Sequence, residues 1–201
     1  MSPRTAARQY WVAIRAMLIF TAVLCVGYTA VVTGIGQLAL NANANGSLAR
    51  VDGETVGSRL IGQSFTDEDG AALPEWFQSR PSAAGDGYDG SASSGSNYGP
   101  ENEDLIAAIA DRKTAIAELE GVDPARIPAD ALTASASGLD PHISPEYARL
   151  QVGRVAEARD LPVEAVADLV ESGIQARDAG YLGEPTVNVL ELNIALAELK
   201  G

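Results

Sequence analysis

The stretch from Met17 to Leu40, MLIFTAVLCVGYTAVVTGIGQLAL, contains no charged residue and decides the architecture of this chain. Together with Ala16 it gives 25 almost uninterrupted apolar positions, and no charge occurs between Arg15 and Arg50. A helix of that length is about 37 Å long, whereas the hydrocarbon core of a bilayer is about 30 Å thick. Residues 16–40 are therefore predicted to form one transmembrane helix.

The flanks of this segment predict its orientation. Arg4, Arg8 and Arg15 precede it and no acidic residue does, and basic flanks stay in the cytoplasm. We therefore expect residues 1–15 to be cytoplasmic and residues 41–201 to lie outside. The outer part then holds all 27 acidic residues against 11 basic ones, a net charge of −16. A cleaved signal peptide is the alternative, but its apolar core usually spans only about 7–15 residues.

Small and hydroxyl-bearing residues recur within the apolar segment. Four of them repeat every fourth position and two more form an adjacent stripe; they are Thr21, Cys25, Thr29 and Thr33, and Ala30 and Gly34. Small residues at this spacing favour close packing of a second membrane helix, although a lipid-facing helix tolerates them too. Because Cys25 is the single cysteine of the sequence, the outer part has no intrachain disulfide.

The outer chain carries patterns of both strands and helices, so we predict one α+β domain. Asp52-Gly53 between two short apolar runs predicts a hairpin over residues 48–63. Four helices are expected: residues 101–120 ending at Gly121, residues 145–159 capped by Ser144, residues 163–172 after Pro162, and a last one capped by Asn188. Alternation at Leu192, Ile194 and Leu196 leaves a strand as the alternative for the last element.

Residues 66–100 have a different composition. Six Gly, six Ser, five Ala, three Pro and six acidic residues leave few side chains for a core. Such a segment is expected to be disordered or organised against another surface, with Trp76 and Phe77 as its possible points of attachment.

The sequence offers little for catalysis or metal binding. The single histidine, His142, lies two residues after Asp140, but a zinc site needs three or four ligands and a catalytic triad needs a third group. The Gly/Ser-rich run around Ser91–Asn97 lacks the lysine of a phosphate-binding loop. Strong acidity disfavours nucleic acid as a partner and attracts cations.

Six strings, in order along the chain, resemble the C subunit of the Kdp potassium-transporting ATPase. Ala44–Leu48 follows the membrane segment, and Gly57–Thr66 includes Gly62, Gln63 and Phe65. The others hold the remaining matching positions, namely Arg80, Pro81 and Ser82; Gly95, Ser96 and Asn97; Ser137, Gly138, Asp140 and His142; Asn188 and Asn193. Where the family usually has Phe-His-Gly, this chain has Phe77-Gln78-Ser79, and Pro162 replaces a common serine cap.

The resemblance implies a non-catalytic subunit of a bacterial plasma-membrane pump. Its partners would be the lipid bilayer, a channel-like subunit that conducts potassium and a P-type subunit that hydrolyses ATP. The family role is to assemble the complex and, as a catalytic chaperone, to raise the ATP affinity of the hydrolysing subunit. No cofactor is expected to bind this chain; ATP and potassium would act on the complex. The alternatives are a membrane-anchored hydrolase using His142 and Asp140, or a tethered binding protein.

Overall fold

A computed structural model describes residues 3–199, which fall into two units. The first unit extends to Ser47 and the second begins at Leu48. The first is helical, and the second combines helices with two small sheets, which confirms the predicted α+β class.

One long helix, the N-terminal helix, makes up most of the first unit. It consists of α1 (Pro3–Phe20), a π-helical segment (Thr21–Tyr28) and α2 (Thr29–Ala39), and a short α3 (Asn41–Ala44) follows. Its side chains are not buried, and Arg4–Ala39 is long and apolar enough to cross a membrane. The apolar pattern predicted the region of the helix but not its start, because the helix continues through the charged residues before Ala16.

The second unit opens with the predicted hairpin. Strand β1 (Leu48–Val51) pairs antiparallel with β2 (Glu54–Ser58). Asp52 and Gly53 both have positive φ, 51° and 87°, as a tight two-residue turn requires. The second strand ends at Ser58, earlier than the predicted hairpin, because a turn follows it.

Four longer helices surround the core, close to their predicted positions: α4 (Glu103–Glu120), α6 (Pro145–Ala158), α7 (Val163–Ser172) and α8 (Val189–Glu198). The Asn102, Ser144 and Asn188 side chains accept hydrogen bonds from the backbone N–H groups of residues 105, 147 and 191. Pro162 precedes α7 without any side-chain cap. The last element is a helix, so the alternative of a strand at Leu192–Leu196 is wrong.

A three-stranded sheet was not predicted. Its strands are β3 (His142–Ile143), β4 (Ile174–Gln175) and β5 (Thr186–Asn188), with β5 in the centre and both neighbours antiparallel to it. Strands of two or three residues are too short to leave an alternating pattern in the sequence. A 3₁₀ turn (Pro124–Arg126) and α5 (Ala129–Leu132) connect α4 to this sheet.

The chain from residue 59 to 102, here called the central segment, contains neither helix nor strand, yet it runs through the domain. Phe77 has no exposed surface and belongs to the main apolar cluster, with Val155, Val166, Val187 and Leu196. Phe65 and Trp76 pack against the same cluster. Of the two expectations for residues 66–100, organisation against another surface agrees with this packing, and Phe77 and Trp76 are the points of attachment to the core.

Candidate functional site

Arg80 joins the middle of the central segment to the chain before β3. Its Nη1 lies 3.2 Å from Asp140 Oδ2, and its Nη2 donates to the Thr133 carbonyl oxygen at 3.3 Å. The Arg80 carbonyl oxygen accepts a hydrogen bond from the Tyr88 hydroxyl at 2.7 Å. Burial raises the pKa of Tyr88 to about 12, so this hydroxyl keeps its proton at neutral pH. The arginine thus ties two segments 60 residues apart.

Asp140 is the acceptor at the centre of this cluster. Its Oδ1 accepts the backbone N–H of His142 at 3.0 Å and lies 3.4 Å from His142 Nδ1. Burial by itself would raise the pKa of Asp140, but the hydrogen bonds from His142 and the charge of Arg80 outweigh it and lower the pKa. Asp140 is therefore a carboxylate, and each of its oxygens already accepts a hydrogen bond.

Ser82 and Gly138 bring the backbones of the two segments together. The Ser82 hydroxyl donates to the Gly138 carbonyl oxygen at 2.6 Å and accepts the N–H groups of Ala84 and Tyr88. Gly138 has a φ of 68°, and a Cβ there would lie 2.5 Å from the Ser94 carbonyl oxygen. The glycine is required by both the conformation and the close approach.

Other residues that match the resembled family lie around the contact between Ser82 and Gly138. The Gly62 N–H donates to the Leu139 carbonyl oxygen at 2.8 Å, and a Cβ on Gly62 would lie 2.6 Å from the Asp140 carbonyl oxygen. Ser94 N–H donates to the carbonyl oxygen of Ser137 at 2.9 Å. Gly95 passes close to Ala136, whereas Ser96 and Asn97 are exposed; Pro81 accepts a backbone hydrogen bond from Ser135.

A second cluster holds the central segment at Phe77 and Gln78. Asn193 accepts from the Phe77 N–H and donates to the Phe77 carbonyl oxygen, both at 2.9 Å. Gln151 makes the same pair of contacts with Gln78, at 2.6 and 3.2 Å. The Gln78 side chain, which stands where the resembling family usually has histidine, donates to the carbonyl oxygens of Phe65, Leu73 and Trp76. Two side-chain amides thus pair with this backbone as a neighbouring strand would.

Gln63 and Asn188, which also match the resembled family, form hydrogen bonds with the β1–β2 hairpin and with the turn that follows it. Gln63 donates to the Val56 carbonyl oxygen at 2.8 Å and accepts at its own carbonyl from the Ser79 hydroxyl. Asn188, besides capping α8, donates to the Arg59 carbonyl oxygen at 2.9 Å. Phe65 lies against Trp76, with 6.2 Å between ring centroids.

Sequence reasoning missed the ion pair beside this cluster. Arg154 on α6 pairs with Glu120 at the end of α4 at 2.9 Å, with side chains only 6% and 1% exposed. Arg154 also donates to the carbonyl oxygens of Pro74 and Trp76 and to Gln151. Burial raises the pKa of Glu120 despite the opposing charge of Arg154. The one signal in the sequence is an arginine among apolar positions of a predicted helix.

The arrangement around Arg80 holds two segments of the chain together. A cavity of about 310 Å³ beside it is lined by Asp130, Asp140, His142 and Ser144. The Ser144 hydroxyl caps α6 and donates to Asp130, so it is not directed at His142. Among residues 3–199, no group of three His, Cys, Asp or Glu residues is placed to hold a metal ion.

The predicted packing residues of the membrane segment lie on the N-terminal helix. α2 places Thr29, Ala30, Thr33 and Gly34 on neighbouring turns, whereas Thr21 and Cys25 fall in the π-helical segment. Residues four apart lie on neighbouring turns of one side in a π-helix, as they do in an α-helix, so Thr21 and Cys25 keep the four-residue spacing to Thr29 and Thr33. Whether any of these residues contacts another helix stays a prediction.

Comparison with known proteins gives a consistent result. The family profile for the c chain of K⁺-transporting ATPase, KdpC, matches residues 10–198. A Kineococcus radiotolerans protein named potassium-transporting ATPase KdpC subunit is 54% identical over 180 residues, covering 90% of this chain and 88% of that protein. Proteins with the same name from Mycobacterium bovis and Gemmatimonas aurantiaca are 48% and 51% identical, covering 96% and 92% of this chain and 99% and 92% of their own lengths.

Proposed function

Because this chain belongs to the KdpC family of K⁺-transporting ATPase c chains, we propose that its task in the Kdp complex is assembly. It is a non-catalytic subunit of the potassium-uptake ATPase, anchored by its N-terminal helix, and other Kdp subunits are its partners. In the proposal these partners are the channel-like subunit and the P-type ATPase subunit. The helix packs against the membrane part of the pump while the acidic domain binds outside.

The observation that carries this proposal is the contrast between the two units. The second unit has its own core, built from α6, α7, α8 and the three-stranded sheet. The N-terminal helix has no buried side chains at all within its spanning window. An exposed apolar helix that bears small residues is suited to packing on other membrane helices.

The proposed orientation places the N-terminal residues in the cytoplasm and the acidic domain outside. It rests on three arginines before the apolar segment and on the absence of acidic residues there. ATP is cytoplasmic, so an effect on the ATP affinity of the P-type subunit would be indirect. It would then arise as a coupling free energy between the outer or membrane contacts of this chain and the nucleotide site.

Co-purification tests the assembly role. Gly34→Leu adds bulk to the small-residue stripe, and Val31→Leu, at an exposed apolar position of the same helix, is the matched control. We expect Gly34→Leu to reduce recovery of the two large subunits several-fold in gentle detergent, with Val31→Leu unchanged. Full recovery of both large subunits with Gly34→Leu would show that the small-residue stripe is not a packing surface. A chain that purifies alone in its natural form would reject assembly and support the tethered binding protein.

A second candidate role, attraction of potassium, follows from the charge. A net charge of −16 raises the local cation concentration, within a Debye length of about 8 Å at physiological salt. Asparagine at six acidic positions of residues 66–100 keeps the turns that Asp67 and Asp89 close with their side-chain oxygens; the positions are Asp67, Glu68, Asp69, Glu75, Asp86 and Asp89. We expect weaker apparent potassium affinity of the complex, chiefly at low ionic strength. Unchanged affinity leaves assembly as the role.

A further inference from the structure

The N-terminal helix is much longer than a bilayer requires. It runs from Pro3 to Ala39, and about 20 residues suffice to cross the hydrocarbon core. The apolar part begins at Ala16, so Arg15 lies at its boundary. Arg8 and Arg4 then follow at about 10 and 16 Å farther along the axis. A headgroup layer is only about 5–8 Å thick, so an upright helix carries Arg4 beyond it.

All three arginines of this extension lie on one face of the helix. At 100° per residue, Arg4, Arg8 and Arg15 fall within an arc of about 40°, and Trp11 lies beside them. Each of these side chains is exposed, and within residues 3–199 none of the three arginines takes part in an ion pair. A tilted helix brings one face of its end towards the membrane plane, and transmembrane helices tilt by about 20° on average, within a range up to about 40°.

We propose that this face, formed by Arg4, Arg8, Trp11 and Arg15, binds anionic phospholipid headgroups. Charge complementarity favours an anionic lipid as the ligand. The first 49 residues contain three basic and no acidic residues. Phosphodiester groups are the anions present at the depth of these arginines. Arg15 extends from the hydrocarbon boundary to the phosphate level by snorkelling. Trp11 supplies an amphipathic ring of the kind enriched at membrane interfaces.

Lipid titration of the purified full chain tests this proposal. In a nonionic detergent, native mass spectrometry measures the apparent Kd for phosphatidylglycerol and for phosphatidylcholine. Arg4→Gln/Arg8→Gln removes two of the three guanidinium groups of this face and is expected to weaken phosphatidylglycerol binding several-fold, with phosphatidylcholine binding unchanged. Arg15 is left unchanged because it helps to set the orientation. Arg50→Gln, an exposed arginine of the second unit, is the control and is expected to have no effect.

Several outcomes would overturn the proposal. Equal affinity for the two lipids, or no change in the double variant, removes the role of these arginines. Displacement of phosphatidylglycerol by an equal concentration of inorganic phosphate means that the face binds any phosphate, not a lipid surface. Loss of other Kdp subunits from the complex, with lipid binding intact in the double variant, assigns the face to a protein partner.

Discussion

The side chain of Asn193 pairs with the backbone of Phe77 as a neighbouring β-strand would. It satisfies both the N–H and the carbonyl group of a residue that has no exposed surface. Asn193→Leu keeps the volume but leaves both groups buried without partners, each at about 1–3 kcal/mol. We expect the free energy of unfolding of the second unit to fall by about 2–4 kcal/mol, measured by urea titration with tryptophan fluorescence.

Gln175→Leu is the control for this substitution, because Gln175 is an exposed amide on β4. Its effect should stay within about 0.5 kcal/mol, as for most surface substitutions. Equal effects of the two variants would mean that the Asn193 contacts do not hold the central segment.

The free energy of unfolding of the domain should depend on pH through Asp140. Its pKa in the folded state is lowered below the usual value of 3.8. Its charged form therefore stabilises the fold above about pH 4, and this contribution is lost as the pH falls through the folded pKa. Asp140→Asn should reduce the free energy of unfolding by about 1–2 kcal/mol at pH 7 and flatten its fall below about pH 4.

Urea titrations across this pH range provide the measurement. Asp86→Asn removes an exposed carboxylate and should follow the natural chain at every pH. A natural chain and an Asp140→Asn variant with parallel pH profiles would contradict the assigned role of Asp140.

At the scale of elements, the central segment depends on α6. Arg154→Met removes two hydrogen bonds to that segment and one to Gln151, and it leaves Glu120 as a buried, uncompensated carboxylate. Losing one partner of a buried pair destabilises by about 3–5 kcal/mol. We expect limited proteolysis to cut the chain between residues 82 and 99 at least tenfold faster than in the natural protein.

Arg149→Met, on the same helix, removes an exposed ion pair with Glu171 and is the matched control. Exposed pairs contribute about 0–1 kcal/mol, so its cleavage rate should change little. The double variant Glu120→Gln/Arg154→Met should recover part of the protection, because no buried charge remains. Cleavage equally slow in all variants would show that Arg154 does not retain the segment.

The elements that the sequence predicts well are those whose signals are local. Asn102, Ser144 and Asn188 each cap a helix through a backbone N–H three residues away, and Asp52-Gly53 closes its own turn. The three-stranded sheet depends on pairs such as His142 with Asn188, 46 positions apart, over strands of two or three residues. No local pattern encodes such pairing.

The sequence likewise predicts only some features of the candidate site. The matching strings include Arg80, Gly138 and Asp140, but spacing along the chain does not indicate that Arg80 reaches Asp140 across 60 positions. Composition left disorder open for residues 66–100 because it averages over the whole segment, whereas the buried Phe77 is enough to attach that segment to the core. Arg154 was missed because its partners lie on α4 and on the central segment.

For the whole molecule, we propose a single membrane helix with the acidic domain on the side of the bilayer away from ATP. Thiol labelling in intact cells tests it most directly. In a Cys25→Ser background, one cysteine is placed in the folded domain by Asp86→Cys and one before the apolar segment by Gln9→Cys. Both positions are exposed in the structure.

A membrane-impermeant maleimide is added before and after permeabilisation. We expect D86C to react in intact cells and Q9C to react only after permeabilisation. Labelling of Q9C but not D86C in intact cells, or recovery of a D86C chain trimmed after Ala44 and released from the membrane, would contradict it.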